Sequence, residues 1–325
     1  MTRDCPATFL DADSLDAGDL DWSTLHAVLP QLECHARTAP DQVAERIRGR
    51  KVVITNKVVL DAALLDGADR LSLVCVAATG TNNVDIEAAR KRGITVCNIR
   101  DYATPSVVQH TLALILALRT RLPACQDRVR NGEWSRSSHF CLLDPGIEEL
   151  HGQTLGIIGH GTLGQAVARA AECLGLRVLI SERPGSTTIR PGRLPFLVVL
   201  ETADIISLHA PLTPETHHLF NRETLARMKP GALLINTARG ALVEPQDLRA
   251  ALVSGHLGGA GVDVLDPEPP RADHPLLADP PPNLIVTPHV AWASRAARQR
   301  LLDQLANVVR HWQAGTPINE VGIRT

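Results

Sequence analysis

Hydrophobic positions along this chain fall into short β-branched runs separated by stretches with helical spacing. The alternation persists from end to end, which predicts α/β construction around mainly parallel sheets. In the first hundred residues the runs are KVVIT, LSLVCVAA and TVCNI, with helical character from Leu60 to Leu65 and from Val84 to Arg92. Near residue 100 the pattern changes: Thr104 and Pro105 read as an N-cap and a first-turn proline opening the apolar helix VVQHTLALILAL. From Thr154 a second series begins with strand TLGII, a glycine loop, helix TLGQAVARAAECLG and strand RVLIS, then the strand-like runs DIISLH, ALLIN, GAGVDV and NLIVT. The stretch DPEPPRADHPLLADPPP reads as a loop with short turns. A last helix starts about Ser294 and places Leu301, Leu302, Leu305, Val308, Val309 and Trp312 on an apolar face. Because it follows the completed second series, it is expected to return to the first domain. The spacing thus predicts one domain of residues 1–100 with 290–325, and another of residues 101–289.

Composition narrows the function classes. A chain of 325 residues suits two cores, and 33 basic against 35 acidic side chains, with few aromatics, leave no cationic stacking surface for nucleic acid. The N-terminal MTRDCPATFLDADSLD has no basic, apolar leader, and the run from Val107 to Leu118 is too short to span a bilayer. A cytoplasmic protein without a membrane partner is expected. Seven cysteines lack CxxC spacing, so neither a metal site nor a disulfide framework is predicted.

Gly159, Gly161 and Gly164 in GHGTLG follow a predicted strand and open a predicted helix. The first permits a tight turn, the second lets a pyrophosphate approach the backbone, and the third lets helix and strand pack closely, with Thr162 and Leu163 at the helix N-terminus. Glu182 stands at the end of the next strand, where a carboxylate accepts from ribose hydroxyls. A Rossmann-type doubly wound sheet binding NAD is therefore expected. NADP is the alternative, because Arg183 could attract a 2'-phosphate.

Ligands of open α/β sheets bind beyond the carboxyl ends of the strands, so polar residues there are the ones to inspect. His209, Pro211, Thr216, Thr237 and Ala238 follow two such ends and complete the expected cofactor contacts, with Asp263 placed at the nicotinamide amide. Reduction of a 2-keto acid needs a cation to grip the carboxylate and polarise the ketone, and an acid for the developing alkoxide. Arg239 suits the first task and His289 the second, while a carboxylate such as Glu268 favours the imidazolium and holds the ring. Singly, Arg239 could cap a turn, His289 could bond within a hinge and Glu268 could be a solvated loop residue. Their joint placement in a dinucleotide fold favours chemistry.

The blocks VAATGTNNVD, GHGTLG, LHAPLTPET, INTARGALV, GVDVLDPEPP and TPHVAWAS, in this order, resemble the D-isomer-specific 2-hydroxyacid dehydrogenase family over nearly the whole chain. The resemblance implies a flavodoxin-like substrate-binding domain beside the Rossmann domain, and domains that close over a cleft. It also implies that Arg239, Glu268 and His289 are the family's catalytic arginine, glutamate and histidine, and that N–H groups near Thr79 and Gly80 help bind the substrate carboxylate. A homodimer through the first helix of the nucleotide domain and its flanking loop is implied as well. ITNKVVL, FCLLD and the Glu182–Arg183 pair make the chain most similar to glycerate dehydrogenases, also called hydroxypyruvate reductases, and glyoxylate is a further implied substrate. Gln109 departs from the acidic residue that many relatives carry. The alternatives are a dehydrogenase of another 2-keto acid, such as 2-ketogluconate or pyruvate, and an NAD-sensing, corepressor-like scaffold.

Overall fold

Most of the predicted β-branched runs form strands buried on both faces, as parallel sheets require when helices cover them. The computed structural model describes residues 5–144 and 146–322, so Met1 to Asp4, the start of the acidic N-terminal stretch, lie outside the described residues. The chain divides into two units, Met1–Ala103 with Ala293–Thr325, and Thr104–Trp292.

The first unit carries five parallel strands, β1 (Ala7–Phe9), β2 (Leu32–Cys34), β3 (Val52–Thr55), β4 (Leu73–Val76) and β5 (Thr95–Asn98). Their order is β2-β1-β3-β4-β5, that of a flavodoxin-like sheet. β1 and β2 escaped the sequence pattern because each has only three residues, and β2 is a half-exposed edge without an apolar run. The helix Arg295–Gln313 belongs to this unit: Ser294 caps it through Oγ, 3.3 Å from the Ala297 N–H, and Leu301, Leu302, Leu305, Val308 and Val309 are buried. Arg298 ties it to Asp19 with two bonds of 2.7 and 2.8 Å.

The second unit carries six parallel strands, β6 (Thr154–Ile158), β7 (Arg177–Ile180), β8 (Ile205–Leu208), β9 (Leu233–Asn236), β10 (Gly259–Val262) and β11 (Leu284–Val286), in the order β11-β10-β9-β8-β6-β7. A single parallel bridge from Ser181 to Leu194 stands where a doubly wound fold has one more edge strand. The chain leaves β6 toward β7 on one side and reaches β8 on the other, so the topological switch point lies between the ends of β6 and β8. Apolar clusters cover both faces, one containing Val199, Leu200, Ile206 and Leu248, the other Leu114, Ile115, Val167 and Ile235. In the second cluster the helix Thr104–Arg119 comes so close to β10 that a side chain at Gly261 would meet Leu114 Cβ at 3.0 Å. Among the described residues no helix is long and apolar enough to cross a membrane, and no cluster of metal-ligating side chains occurs.

Candidate active site

At the switch point each glycine of the loop has its own steric reason. Gly159 adopts φ +96°, and a Cβ there would lie 2.5 Å from the Ala210 N–H nitrogen. At Gly164 a Cβ would sit 2.0 Å from the Gly159 carbonyl oxygen, so only glycine lets the helix Thr162–Glu172 pack against the loop. Gly161, the N-cap of that helix, would meet nothing within 4 Å. That open space, with Thr162 exposed and Leu163 half-buried beside it, is what a pyrophosphate needs to reach the helix N-terminus. The residues present therefore fit a dinucleotide.

Glu182, two residues past β7, is 3% exposed and its carboxylate is fully engaged. Oε1 accepts from the Arg183 N–H at 2.8 Å and from Arg190 Nη2, while Oε2 accepts from Arg190 Nε at 2.8 Å and the Arg190 N–H at 3.2 Å. The Arg190 guanidinium, followed by the backbone donors, holds this carboxyl well below the usual carboxylate range. Sequence spacing placed Glu182 correctly at the strand end but gave no sign of Arg190, eight residues away across a loop. Arg183 is exposed with no side-chain partner among the described residues. Arg193 lies 3.9 Å from Glu182. Burial, followed by the charges of Arg193 and Arg169, keeps His160 below its ordinary value.

Beyond β8, His209 Nε2 pairs with Ser207 Oγ at 2.9 Å, and burial pushes its pKa down to about 4. It is a neutral imidazole at neutral pH. Thr216 closes the following loop, accepting from the Thr213 N–H at 2.7 Å and donating to the Pro211 carbonyl at 2.8 Å. Beyond β9, the Asn236 side chain braces the next turn, accepting from the Ala238 N–H at 3.0 Å and donating to the Arg239 carbonyl at 2.8 Å. Thr237 is buried against Thr111, Oγ1 to Oγ1 3.1 Å. The Arg239 side chain is exposed, with Nη1 donating to the Ala238 carbonyl at 2.7 Å.

Glu268 and His289, 21 residues apart, are brought together. Glu268 Oε2 lies 2.6 Å from His289 Nδ1, and Oε1 accepts from the Leu265 N–H at 2.9 Å. With Nδ1 so occupied, Nε2 has no partner among the described residues. His289 adopts φ +54°, a left-handed conformation costly for a side chain with a Cβ. Its own N–H bonds the Asp263 carbonyl at 2.7 Å, and the Asp263 carboxylate takes the next two N–H groups, Val290 and Ala291, at 2.9 Å each. Asp263, read from the sequence as a cofactor contact, is 1% exposed and holds this turn.

In the first unit Thr79 and Gly80 follow β4. The Thr79 side chain donates to the Ile99 carbonyl at 3.0 Å, and its carbonyl accepts from Asn98 Nδ2 at 2.7 Å. Neither the Thr79 nor the Gly80 backbone N–H has a partner among the described residues. Sequence reasoning missed Asn236, Arg190 and the polar residues of the helix Thr104–Arg119, because nothing in local spacing marks a side chain that serves a distant loop.

A phosphate loop at the switch point of a doubly wound sheet, with an imidazole–carboxylate pair past the strand ends, is the build of a nicotinamide-dependent dehydrogenase. Residues 112–291 match the model of the D-isomer specific 2-hydroxyacid dehydrogenase NAD-binding domain. The chain is 43% identical to a glycerate dehydrogenase of Methylorubrum extorquens over 96% of its own length and 98% of the relative's. It is 36% identical to a hydroxypyruvate reductase of Blautia hydrogenotrophica over the same shares, 96% and 98%. The crystal structure of the TT0316 protein of Thermus thermophilus superposes with a TM-score of 0.85 at 37% identity, covering 98% of this chain and 100% of that one. The chain belongs to the D-isomer-specific 2-hydroxyacid dehydrogenase family, and its cofactor domain is the family's NAD-binding domain.

Proposed function

We propose that this protein reduces hydroxypyruvate to D-glycerate, runs the reverse reaction, and accepts glyoxylate. The observation that carries the chemistry is the His289–Glu268 pair, with Nδ1 held at 2.6 Å and Nε2 left free. When bound, reduced nicotinamide supplies the hydride. Arg239 grips the substrate carboxylate and polarises the ketone, Glu268 fixes the ring through Nδ1, and His289 Nε2 hands a proton to the carbonyl oxygen. The unpartnered N–H groups of Thr79 and Gly80 receive the substrate carboxylate. The choice of three-carbon substrate rests on the glycerate dehydrogenase and hydroxypyruvate reductase likeness. The test is a panel of hydroxypyruvate, glyoxylate, pyruvate and 2-ketogluconate with NADH, read by loss of nicotinamide absorbance. The highest kcat/KM should fall on hydroxypyruvate; a preference for pyruvate or 2-ketogluconate defeats the substrate assignment, and no oxidation with any of them defeats the enzyme reading.

Glu182 is proposed as the acceptor of the adenosine ribose hydroxyls, a role that requires Arg190 to release it. Arg190→Ala frees the carboxylate and removes a cation that a 2'-phosphate would favour, so the NADH/NADPH affinity ratio should rise about tenfold. Glu182→Ala should lower it by a similar factor. If both variants keep the parent ratio in fluorescence titrations, Glu182 does not read the ribose.

We also propose a homodimer. The segment after the helix Leu122–Arg130 leaves Phe140 91% and Leu143 86% exposed, with Trp134 at 52% beside them. Such apolar exposure is what a partner surface covers. Sedimentation should give twice the 35.0 kDa chain mass, and Phe140→Asp should shift it toward the monomer. A monomeric parent protein rules the assembly out.

A further inference from the structure

The helix Thr104–Arg119 reads in the sequence as an apolar element, yet three polar side chains near its N-terminal end reach three separate points around the site. Ser106 Oγ donates to the Ala291 carbonyl at 2.7 Å, two residues after His289. His110 Nε2 lies 2.9 Å from Thr287 Oγ1, two residues before His289. Thr111 meets Thr237, two residues before Arg239, at 3.1 Å.

The His110 contact has a fixed polarity. Thr287 has one hydroxyl hydrogen, and Oγ1 lies 2.5 Å from Asp263 Oδ1, which as a carboxylate oxygen only accepts. Thr287 therefore donates to Asp263 and accepts from His110, so the imidazole carries its hydrogen on Nε2. His110 Nε2 is also 3.4 Å from the same Asp263 oxygen. The chain of bonds runs from His110 to Thr287 to Asp263, and from Asp263 to the N–H groups of Val290 and Ala291 that follow the left-handed His289.

We propose that this polar helix face sets the geometry of the two catalytic loops, and that His110 is a positioning residue for His289. The proposal rests on the assignment of His289 as proton donor. A turn strained at φ +54° needs neighbours that over-determine it, and Asp263 can supply that only while its own carboxylate is oriented. Thr287 and His110 orient one of its oxygens. Without the Nε2–H donor the Thr287 hydroxyl can rotate away, Asp263 loses a donor, and the turn carrying His289 loosens while the cofactor loop beyond β6 is untouched.

The test uses His110→Leu, His110→Gln and Thr287→Val beside His289→Ala. His110→Leu keeps bulk and removes the donor; His110→Gln restores an N–H near the Nε2 position. His110→Leu and Thr287→Val should each lower kcat about thirtyfold, since small misplacements of a catalytic group cost one to two orders of magnitude. NADH affinity should stay within about twofold, and His110→Gln should recover most of the loss. Without cofactor, amide exchange at Val290 and Ala291 should speed up in the two damaging variants and return in His110→Gln. Parent-like kcat in Thr287→Val, or a glutamine variant no better than leucine, overturns the proposal, as does unchanged exchange at those two amides. Should His110→Leu fail to fold, Thr287→Val and His110→Gln still decide. If His289→Ala itself retains turnover, the proton-donor reading has failed; if His289→Ala is inactive while His110→Leu and Thr287→Val are not, only the positioning role has.

Discussion

His289→Ala should cut kcat for hydroxypyruvate about a thousandfold while the Kd for NADH stays within about twofold. A positioned acid or base contributes roughly two to four orders of magnitude, and a thousandfold corresponds to about 4 kcal/mol of barrier. The residue qualifies by geometry as well as type: Glu268 occupies Nδ1 at 2.6 Å, so the only ring nitrogen left to meet a substrate oxygen is Nε2. Nothing in the glycine loop depends on the imidazole, because Gly159 and Gly164 pack against backbone of their own beyond β6. Stopped-flow turnover together with NADH fluorescence titration separates the two quantities. A variant that loses turnover and NADH affinity in equal measure would assign His289 to cofactor binding, and one that keeps turnover would remove it from the chemistry. Glu268→Gln offers the intermediate case: an amide can still contact Nδ1 but no longer supplies the negative charge, so its kcat should fall between those of the parent and His289→Ala.

Parts of this fold and site were legible in the sequence for identifiable reasons. β6, β8 and β9 of the second unit are isoleucine- and leucine-rich runs covered on both sides, and that composition marks them without any knowledge of neighbours. The glycine loop was legible because Gly159 and Gly164 lie too close to backbone for a Cβ, and a pyrophosphate uses the open space at Gly161. β1 and β2 were not legible, since three-residue strands leave too short a pattern and β2 is half-exposed. The extra edge strand has shrunk to the Ser181–Leu194 bridge and left no run at all. At the site, position along the chain led to Arg239, Glu268, His289 and Asp263, but not to the groups that the Asp263 carboxylate bonds. Its carboxylate serves Thr287, Val290 and Ala291, residues 24 to 28 positions away. The same holds for Glu182, whose bonds to Arg190 depend on how the intervening loop folds back. Position along a strand can be read from local periodicity; the partner of a side chain across a loop cannot.

Gly240→Ala should lower kcat/KM about a hundredfold, with NADH affinity close to the parent's, although the substitution adds only a methyl group and touches none of the reacting atoms. Gly240 follows Arg239 directly and lies against the backbone of the loop that carries Glu268. A Cβ there would sit 2.1 Å from both the carbonyl carbon and the oxygen of Leu265 and 2.7 Å from the Asp266 nitrogen. These are backbone atoms, so no side-chain rotation can relieve the overlap and the two loops must separate. The φ of Gly240 is not in the left-handed region, which makes space, and not backbone conformation, the reason for glycine. Separation moves Arg239 on one side and the Leu265–Glu268 turn on the other, and the Leu265 N–H that holds Glu268 Oε1 at 2.9 Å moves with it. A displacement near 1 Å between the cation that grips the substrate and the carboxylate that orients the acid is worth roughly two orders of magnitude. Because the phosphate loop lies beyond a different strand, cofactor binding should report no change. Steady-state kinetics with NADH titration would check both halves, and a parent-like kcat/KM would mean that the two loops tolerate separation and that their close approach does not set the catalytic geometry.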